Sequence, residues 1–399
     1  MSYTIDIFRE LIHSYPTWES FQTYLTSSEG GQIRCVGEGR YRILRYSKGV
    51  SDLTSKHGKW MRSLIWDTQE HLPVCIAPPK AEKGEIPTGS TETVSYPLMQ
   101  TFLDGTMINV FRSYADPNTL QIATRTQIGA GGKFYSEKTF AQMFDEALIA
   151  MGSSREHLLS LLAQPTEMVP SIFASFILQH PEHRVVSRCT APHLWVAHIG
   201  AVHDNGLISM NEDPLHFPLR WRIPVFQDSV FQTATTLTNY FSDLCKERGW
   251  FFQGVTVKDG KGNRWRLRNP NYLYLRGLRG SESTSLERFL RLRSESKVTE
   301  YLKHYSEERQ ILWDFEQELR KATQDVFTSY CSVHKSHEKK LEDIPWAIRP
   351  CVFKLHSHYL EHLRPNNEKV YMKHAVELVN NLALYEQKRL LTKAEPVQA

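Results

Sequence analysis

The apolar pattern of this chain changes period once. Between residues 31 and 268, short segments alternate apolar and polar residues, as GQIRCV (31–36), RYRILRY (40–46) and NRWRLR (263–268) do. From about residue 284 the spacing is helical almost throughout, over 284–293, 296–304, 306–333, 344–363 and 370–391. A period of two suits a pleated strand and a period near 3.6 suits a helix, so one regular element cannot satisfy both. The expected fold class is α+β. An antiparallel β-sheet domain with flanking helices should cover 1–280, and an all-α domain 281–399, with the boundary at RGLRGSES (276–283).

The 399 residues leave room for a core in each part, and 41% hydrophobic with 23% charged residues is the balance of a soluble globular chain. No run approaches the roughly 20 apolar residues that span a bilayer. MSYTIDIFRE lacks the basic start and apolar core of a secretory signal, and six cysteines at 35, 75, 189, 245, 331 and 351 show no paired spacing. An intracellular, cytoplasmic protein without a membrane partner is expected.

Local signals divide the first part. IDIFRELIHS (5–14) and TWESFQTYLTS (17–27) have helical spacing, with Pro16 placed to start the second helix. WMRSLIWD (60–67) and PVCIAPP (73–79) read as a strand pair, and 81–96 as a polar loop. A hairpin should pair 103–111 with 119–126 across ADPN. Residues 136–150 read as a capped helix presenting Phe140, Phe144 and Leu148, and 157–164 as a short helical stretch. SIFASFIL (171–178), RVV (184–186) and HLWVAHIGAVHD (193–204) read as strands. A helix over 234–249 should end at Gly249, before a hairpin of 249–259 with 263–268 across Asp259-Gly260. In the helical part, Ile311, Leu312, Phe315, Leu319, Val326, Phe327 and Tyr330 form one stripe.

The net charge of +4 is unevenly placed. Residues 258–293 hold Lys258, Lys261, Arg264, Arg266, Arg268, Arg276, Arg279, Arg288, Arg291 and Arg293 against Asp259, Glu282 and Glu287. Interleaved with Trp265, Tyr272, Tyr274 and Phe289, this stretch suits phosphates and bases, or else forms a solvated basic face.

Several strings carry chemistry when taken in order: WMRSLIWD (60–67), PVCIAPPK (73–80), FLDGTMINVF (102–111), ATRTQIG (123–129), SFILQHPEHRVV (175–186), FFQGVTV (251–257) and NRWRLRNPNYLYLRGLRG (263–280). As an ordered set they resemble the phage-type single-strand RNA ligases of the covalent nucleotidyltransferase superfamily, most of all the RNA-ligase-like proteins of large DNA viruses. The resemblance implies ATP and Mg²⁺ as cofactors and RNA as partner, with other viral or repair proteins alongside, in the cytoplasm of a host cell. It implies RNA end-joining through a lysyl-AMP intermediate, in which a lysine amine attacks the α-phosphate of ATP. Arg62 matches the arginine of an Arg-Gly segment, with Ser63 in place of the glycine. Asp104 and Gly105 match the Asp-Gly pair that follows the nucleophile, and Arg125 a basic residue on the next strand. Gln253-Gly254 stands for Glu-Gly, and Arg266 with Arg268 for Lys-x-Lys. The glutamate expected near 175–184 is replaced, with Ser175 or Ile177 nearest.

The nucleophile's own position holds Phe102, and a phenyl ring cannot attack phosphorus. Lys80 is then the best substitute nucleophile, ahead of Lys83 and Lys133, and its alternative role is a phosphate contact or a plain surface lysine. With Phe102 in place, the other reading is a catalytically degenerate ligase fold that binds RNA or nucleotide. A capping-type guanylyltransferase is a third reading, although its accessory domain is not visible. No metal ligands stand out. Cys331, His334, His337, Cys351 and His356 have crude zinc-like spacing, but steps of three drift around a helix, and His358 with His362 form no His-Glu-x-x-His string.

Overall fold

Three antiparallel sheets carry the first of two units, Met1–Arg276, and the described part of the second, Gly277–Ala399, is helical. The computed structural model describes residues 1–82, 86, 98–226 and 234–391. Its strands, in chain order, are β1 (Ser2–Ile5), β2 (Arg34–Val36), β3 (Tyr41–Arg45), β4 (Leu64–Asp67), β5 (Leu72–Ile76), β6 (Leu98–Thr101), β7 (Thr106–Ser113), β8 (Asp116–Ala123), β9 (Ser171–Gln179), β10 (His193–Val202), β11 (Ile208–Asn211), β12 (Gly254–Lys258) and β13 (Arg264–Arg268). The six-stranded sheet runs β1-β11-β10-β9-β7-β8, the four-stranded sheet β2-β3-β4-β5, and the three-stranded sheet β13-β12-β6. Helices α1 (Ile7–Ser14), α2 (Trp18–Thr26), α3 (Phe140–Ala150), α4 (Arg155–Leu161) and α5 (Ala234–Arg248) belong to the first unit, and α6 (Pro270–Arg279) runs into the division.

The six-stranded sheet is the middle layer because its strands are apolar on both faces. Phe111, Ala123, Phe173, Val202, Ile208 and Met210 join α1, α2 and the four-stranded sheet in one core. Ile108, Val110, Ile122, Ala174, Phe176 and Leu178 join α3 and α4 in another. Phe111, Phe144, Phe173 and Phe176 are fully buried, each worth about 1.5–3 kcal/mol of apolar transfer. The three-stranded sheet has two different faces. Met99, Val255, Val257, Trp265 and Leu267 pack with Phe241, Leu244 and Cys245 of α5, and the alternate residues are polar.

Several local expectations change. Residues 2–5 and 208–211 are short strands that pair with each other at the sheet edge. Four residues are too few for their alternation to stand out. Pro16 lies before the helix, whose N-cap is Thr17, with its Oγ1 accepting from Ser20 N at 3.2 Å. The focal hairpin turns at Tyr114-Ala115, and Asp116, Pro117 and Asn118 already belong to β8. More consequentially, 98–113 is two strands in two sheets, with the break at 102–105. RVV is not a strand, since Val186 N and Ser187 N donate to the Asp104 carboxylate at 2.8 and 2.9 Å. The second hairpin closes with a loop over 259–263, where the Asp259 carboxylate accepts from Lys261 N and Asn263 N. Most of the 81–96 loop, with Lys83, lies outside the described residues.

The second unit holds α7 (Ser285–Ser294), α8 (Val298–His304), α9 (Arg309–His334), α10 (Arg349–His358), α11 (Met372–Asn381) and α12 (Leu384–Leu391). Leu312, Leu319, Val326 and Tyr330 of the α9 stripe are buried, whereas Ile311 is exposed. The basic stretch divides here. Arg279 and Arg288 both pair with Glu308, Arg291 pairs with Glu282 at 2.6 Å and Arg293 with Glu316 at 2.9 Å. These four are ion-paired within the helical core, so the open positive surface ends near Arg276. No helix among the described residues is long and apolar enough to cross a membrane.

Candidate functional site

The break at 102–105 opens a cavity of about 490 Å³ between the polar face of the three-stranded sheet and the ends of β7 and β9. Period two decides what faces it. Gln100 of β6, Thr256 and Lys258 of β12, and Arg264, Arg266 and Arg268 of β13 all line the cavity, with Thr101 at the end of β6, while Met99, Val255, Val257, Trp265 and Leu267 pack with α5. Gly254 faces Arg268 across the ladder, at φ +141°, and a Cβ there would lie 2.0 Å from Leu267 O. Gly105 is required for a similar reason: a Cβ would meet Leu178 O at 2.5 Å. Its lack of a side chain therefore serves the packing of the break against β9.

Of the residues matched from sequence, Arg62, Asp104, Gly105, Arg125, Gln253, Arg266 and Arg268 all line this one cavity. Lys80 does not. Its N donates to Lys59 O at 2.9 Å, and its Nζ lies 5.3 Å from the Tyr46 ring centroid. The Arg125 guanidinium sits on the same ring at 5.8 Å, so Lys80 flanks the cavity wall. Phe102 also lines the cavity, with the Arg264 and Arg268 guanidiniums 5.5 and 5.7 Å from its ring centroid. Both spacings suit a cation–π contact.

The electrostatics are one-sided. Among the described residues, seven cationic side chains line the cavity, Arg276 among them, against the single carboxylate of Asp104. Among the described residues, Arg62, Arg125, Arg264, Arg266 and Arg268 meet no carboxylate within 4.0 Å. Burial, then Arg264 and Arg125, pushes the Arg62 guanidinium below its ordinary value. Burial, with Arg266 and Arg268 opposing the pull of Glu212, does the same to Arg264. In both, burial outweighs the other influences, and the neighbouring guanidiniums add to it. Buried Gln100 Oε1, Gln253 Oε1 and Arg264 Nε also have no hydrogen-bond partner among the described residues.

Three features of the site were not apparent in the sequence. The first is an aromatic wall of Phe134, Tyr135, Phe140 and His183, with Phe134 and Tyr135 centroids 4.2 Å apart and His183 5.2 Å from Phe140. Tyr135 is held at φ +62°, a costly conformation for an aromatic residue, and its hydroxyl accepts from Arg276 Nη1 at 3.2 Å. The aromatic spacing in KFYSEKTF (133–140) was the available signal. The second is the Lys258–Glu212 ion pair, buried with Tyr3 and His198. Burial pulls the Lys258 ammonium down against the attraction of Glu212, and Glu212, despite its own burial, is held below the usual carboxylate range by Lys258 and His198. The His198 imidazole is pushed down to about 4, mainly by burial. The third is a buried polar chain at Ser175, near where the ligase resemblance expects a glutamate. Ser175 Oγ donates to Asn109 Oδ1 at 2.8 Å, and Asn109 Nδ2 donates to Ser63 Oγ at 3.1 Å, so these positions close a buried polar chain.

The donor set does not suit Mg²⁺. Asp104 Oδ2 already accepts two backbone N–H groups, Gln253 supplies no charge, and Glu212 is committed to Lys258 and Tyr3. Elsewhere, Glu146, His180 and Glu182 converge, but Lys138 Nζ sits between the carboxylates at 2.9 and 2.7 Å. Among the described residues no other group of three such ligands converges, and within the Cys331, His334, His337, Cys351 and His356 set the His334 and His356 rings stack with centroids 3.8 Å apart. A comparison of the chain with protein-family models and with the curated proteins finds no match.

Proposed function

We propose that the first unit binds a nucleoside triphosphate, the phosphates on Arg62, Arg125, Arg264, Arg266 and Arg268 and the base near Phe134, Tyr135 and Phe140, without forming a covalent adduct. The observation that carries this reading is Phe102, whose ring centroid lies 5.5 and 5.7 Å from two guanidiniums where the ligase resemblance would have a nucleophilic lysine. Guanidiniums without carboxylate partners favour a multiply charged anion, and a wall of aromatic faces favours a base. A cavity of about 490 Å³ is within the range of small-molecule sites. Among the described residues the one lysine lining it is Lys258, already paired with Glu212. RNA carrying a 5′-phosphate would be the natural macromolecular partner under the same resemblance.

The end-joining reading survives on one observation, the position of the Lys80 amine against the ring that also carries Arg125. A single experiment separates the two. The protein is incubated with α-labelled ATP and Mg²⁺, and both equilibrium binding and acid-labile covalent label are measured. Binding without label is expected, reduced at least about tenfold in Arg264→Gln. Covalent label that disappears in Lys80→Ala would replace this reading with ATP-dependent RNA ligation through Lys80.

A further inference from the structure

We infer that the pocket takes its nucleotide as the metal-free polyphosphate, with arginines neutralising charge that Mg²⁺ neutralises in most nucleotide sites. This inference rests on the nucleotide-binding reading above. The usual arrangement holds Mg²⁺ with one or two carboxylates plus phosphate oxygens. Here, among the described residues, Asp104 is the single lining carboxylate, fixed through Oδ2 to Val186 N and Ser187 N. Gln253 lines the cavity with a neutral amide, and its buried Oε1 lacks a partner among the described residues. Glu212 is 2% exposed and spends its charge on Lys258.

The surrounding field acts in the same direction. A divalent cation entering the cavity would face Arg62, Arg125, Arg264, Arg266 and Arg268, none of them within 4.0 Å of a carboxylate among the described residues, although Glu212 attracts Arg264 from farther off. Repulsion from partly buried charges is poorly screened by salt, so it opposes the metal at working ionic strength. The same guanidiniums gain most from the highest phosphate charge. Chelation by Mg²⁺ removes two charges from ATP and occupies the oxygens that the guanidinium forks would take. The neutral Gln253 and the unpaired arginines therefore have one consequence: the free tetra-anion is the preferred ligand.

The test is ATP binding by calorimetry at constant ionic strength, once with EDTA and once with excess MgCl₂. The expected Kd is on the order of tenfold lower in EDTA, because two ligand charges facing the guanidiniums are lost on chelation. Gln253→Glu should shrink or reverse that ratio by restoring a carboxylate at the cavity. Equal or tighter binding with Mg²⁺ would overturn the metal-free assignment and leave nucleotide binding standing. A ratio unchanged in Gln253→Glu would overturn the part given to Gln253. ATP bound under neither condition would overturn nucleotide binding itself, and the inference with it.

Discussion

Breaking the Lys258–Glu212 pair should loosen the seam on which the cavity depends. Lys258 lies on β12 of the three-stranded sheet, and Glu212 directly follows β11 of the six-stranded sheet. Their side chains are 7% and 2% exposed, so neither charge can fall back on water when its partner is removed. Glu212→Gln keeps the shape and the acceptor for the Tyr3 hydroxyl, which lies at 3.0 Å, but leaves an ammonium buried and unpaired. Removing one partner of a buried pair costs about 3–5 kcal/mol. Lys258→Met should cost less, about 2–3 kcal/mol, because His198 Nδ1 lies 3.9 Å from Glu212 Oε1 and takes up a proton to compensate.

That compensation has a signature. The Lys258→Met cost should shrink as pH falls, since the His198 pKa rises once Lys258 no longer repels it and Glu212 is left unopposed. The double variant Glu212→Gln/Lys258→Met buries no net charge and should lose only about 1 kcal/mol, a coupling energy of about 4–7 kcal/mol. Urea denaturation of the four proteins at pH 7 and pH 5.5 measures all of this. A coupling below about 1 kcal/mol would refute the reasoning, because the pair would then be behaving as a solvated surface bridge. So would a Lys258→Met cost that is independent of pH.

Two further outcomes follow from single residues. His198 is fully buried and neutral, with its pKa depressed from 6.5 to about 4, so the unfolded chain binds its proton first and stability falls as pH drops from 6.5 toward 4. The loss between pH 7 and pH 5 should be about 2 kcal/mol, and a His198→Gln variant whose stability falls equally steeply would assign the effect elsewhere. Gly105→Ala should destabilise by about 2–4 kcal/mol, since its Cβ would lie 2.5 Å from Leu178 O and 2.7 Å from Ile177 Cγ2. A thermal midpoint within a degree of the parent would show that the 102–105 break yields easily.

The architecture was legible wherever periodicity ran long enough. Strands β9 and β10 carry nine and ten residues and show in the sequence, as do the short β2 and β4 inside longer apolar strings, whereas β1, β6 and β11, with four residues each, do not. The stretch 98–113 misled for a physical reason. Its apolar residues continue across the break, and the pattern does not record that Thr101 pairs with Val255 while Thr106 pairs with Leu178. The basic stretch misled differently: composition counts charge but cannot see that Arg288 is wholly buried against Glu308. Residues matched in order converged on one cavity because strand alternation fixed them, as with Arg266 and Arg268. Arg264, two residues earlier on the same face, followed from that rule and was passed over. The Tyr3–Glu212–Lys258 network joins residues 209 and 46 positions apart, a separation no local pattern reports.

Phe102 is best understood together with the arginines that flank it. A lysine ammonium at the Phe102 ring position would lie about 5.5 Å from two guanidiniums, and each pair would repel by about 3 kcal/mol at an effective dielectric of about 20. A phenyl ring reverses the sign, since each guanidinium over its face gains about 0.5–1 kcal/mol or more as the site is desolvated. The ring and the arginines are therefore energetically one substitution. Arginines at 264 and 268 disfavour a lysine at 102, and a ring at 102 favours arginines there. The same logic reaches Gln253, since a neutral amide at that position leaves the cluster more dependent on an anion from outside. These positions share a charge plan: among the described residues no carboxylate lies within 4.0 Å of Arg62, Arg125, Arg264, Arg266 or Arg268, and no amine stands at 102 to attack an anion bound there.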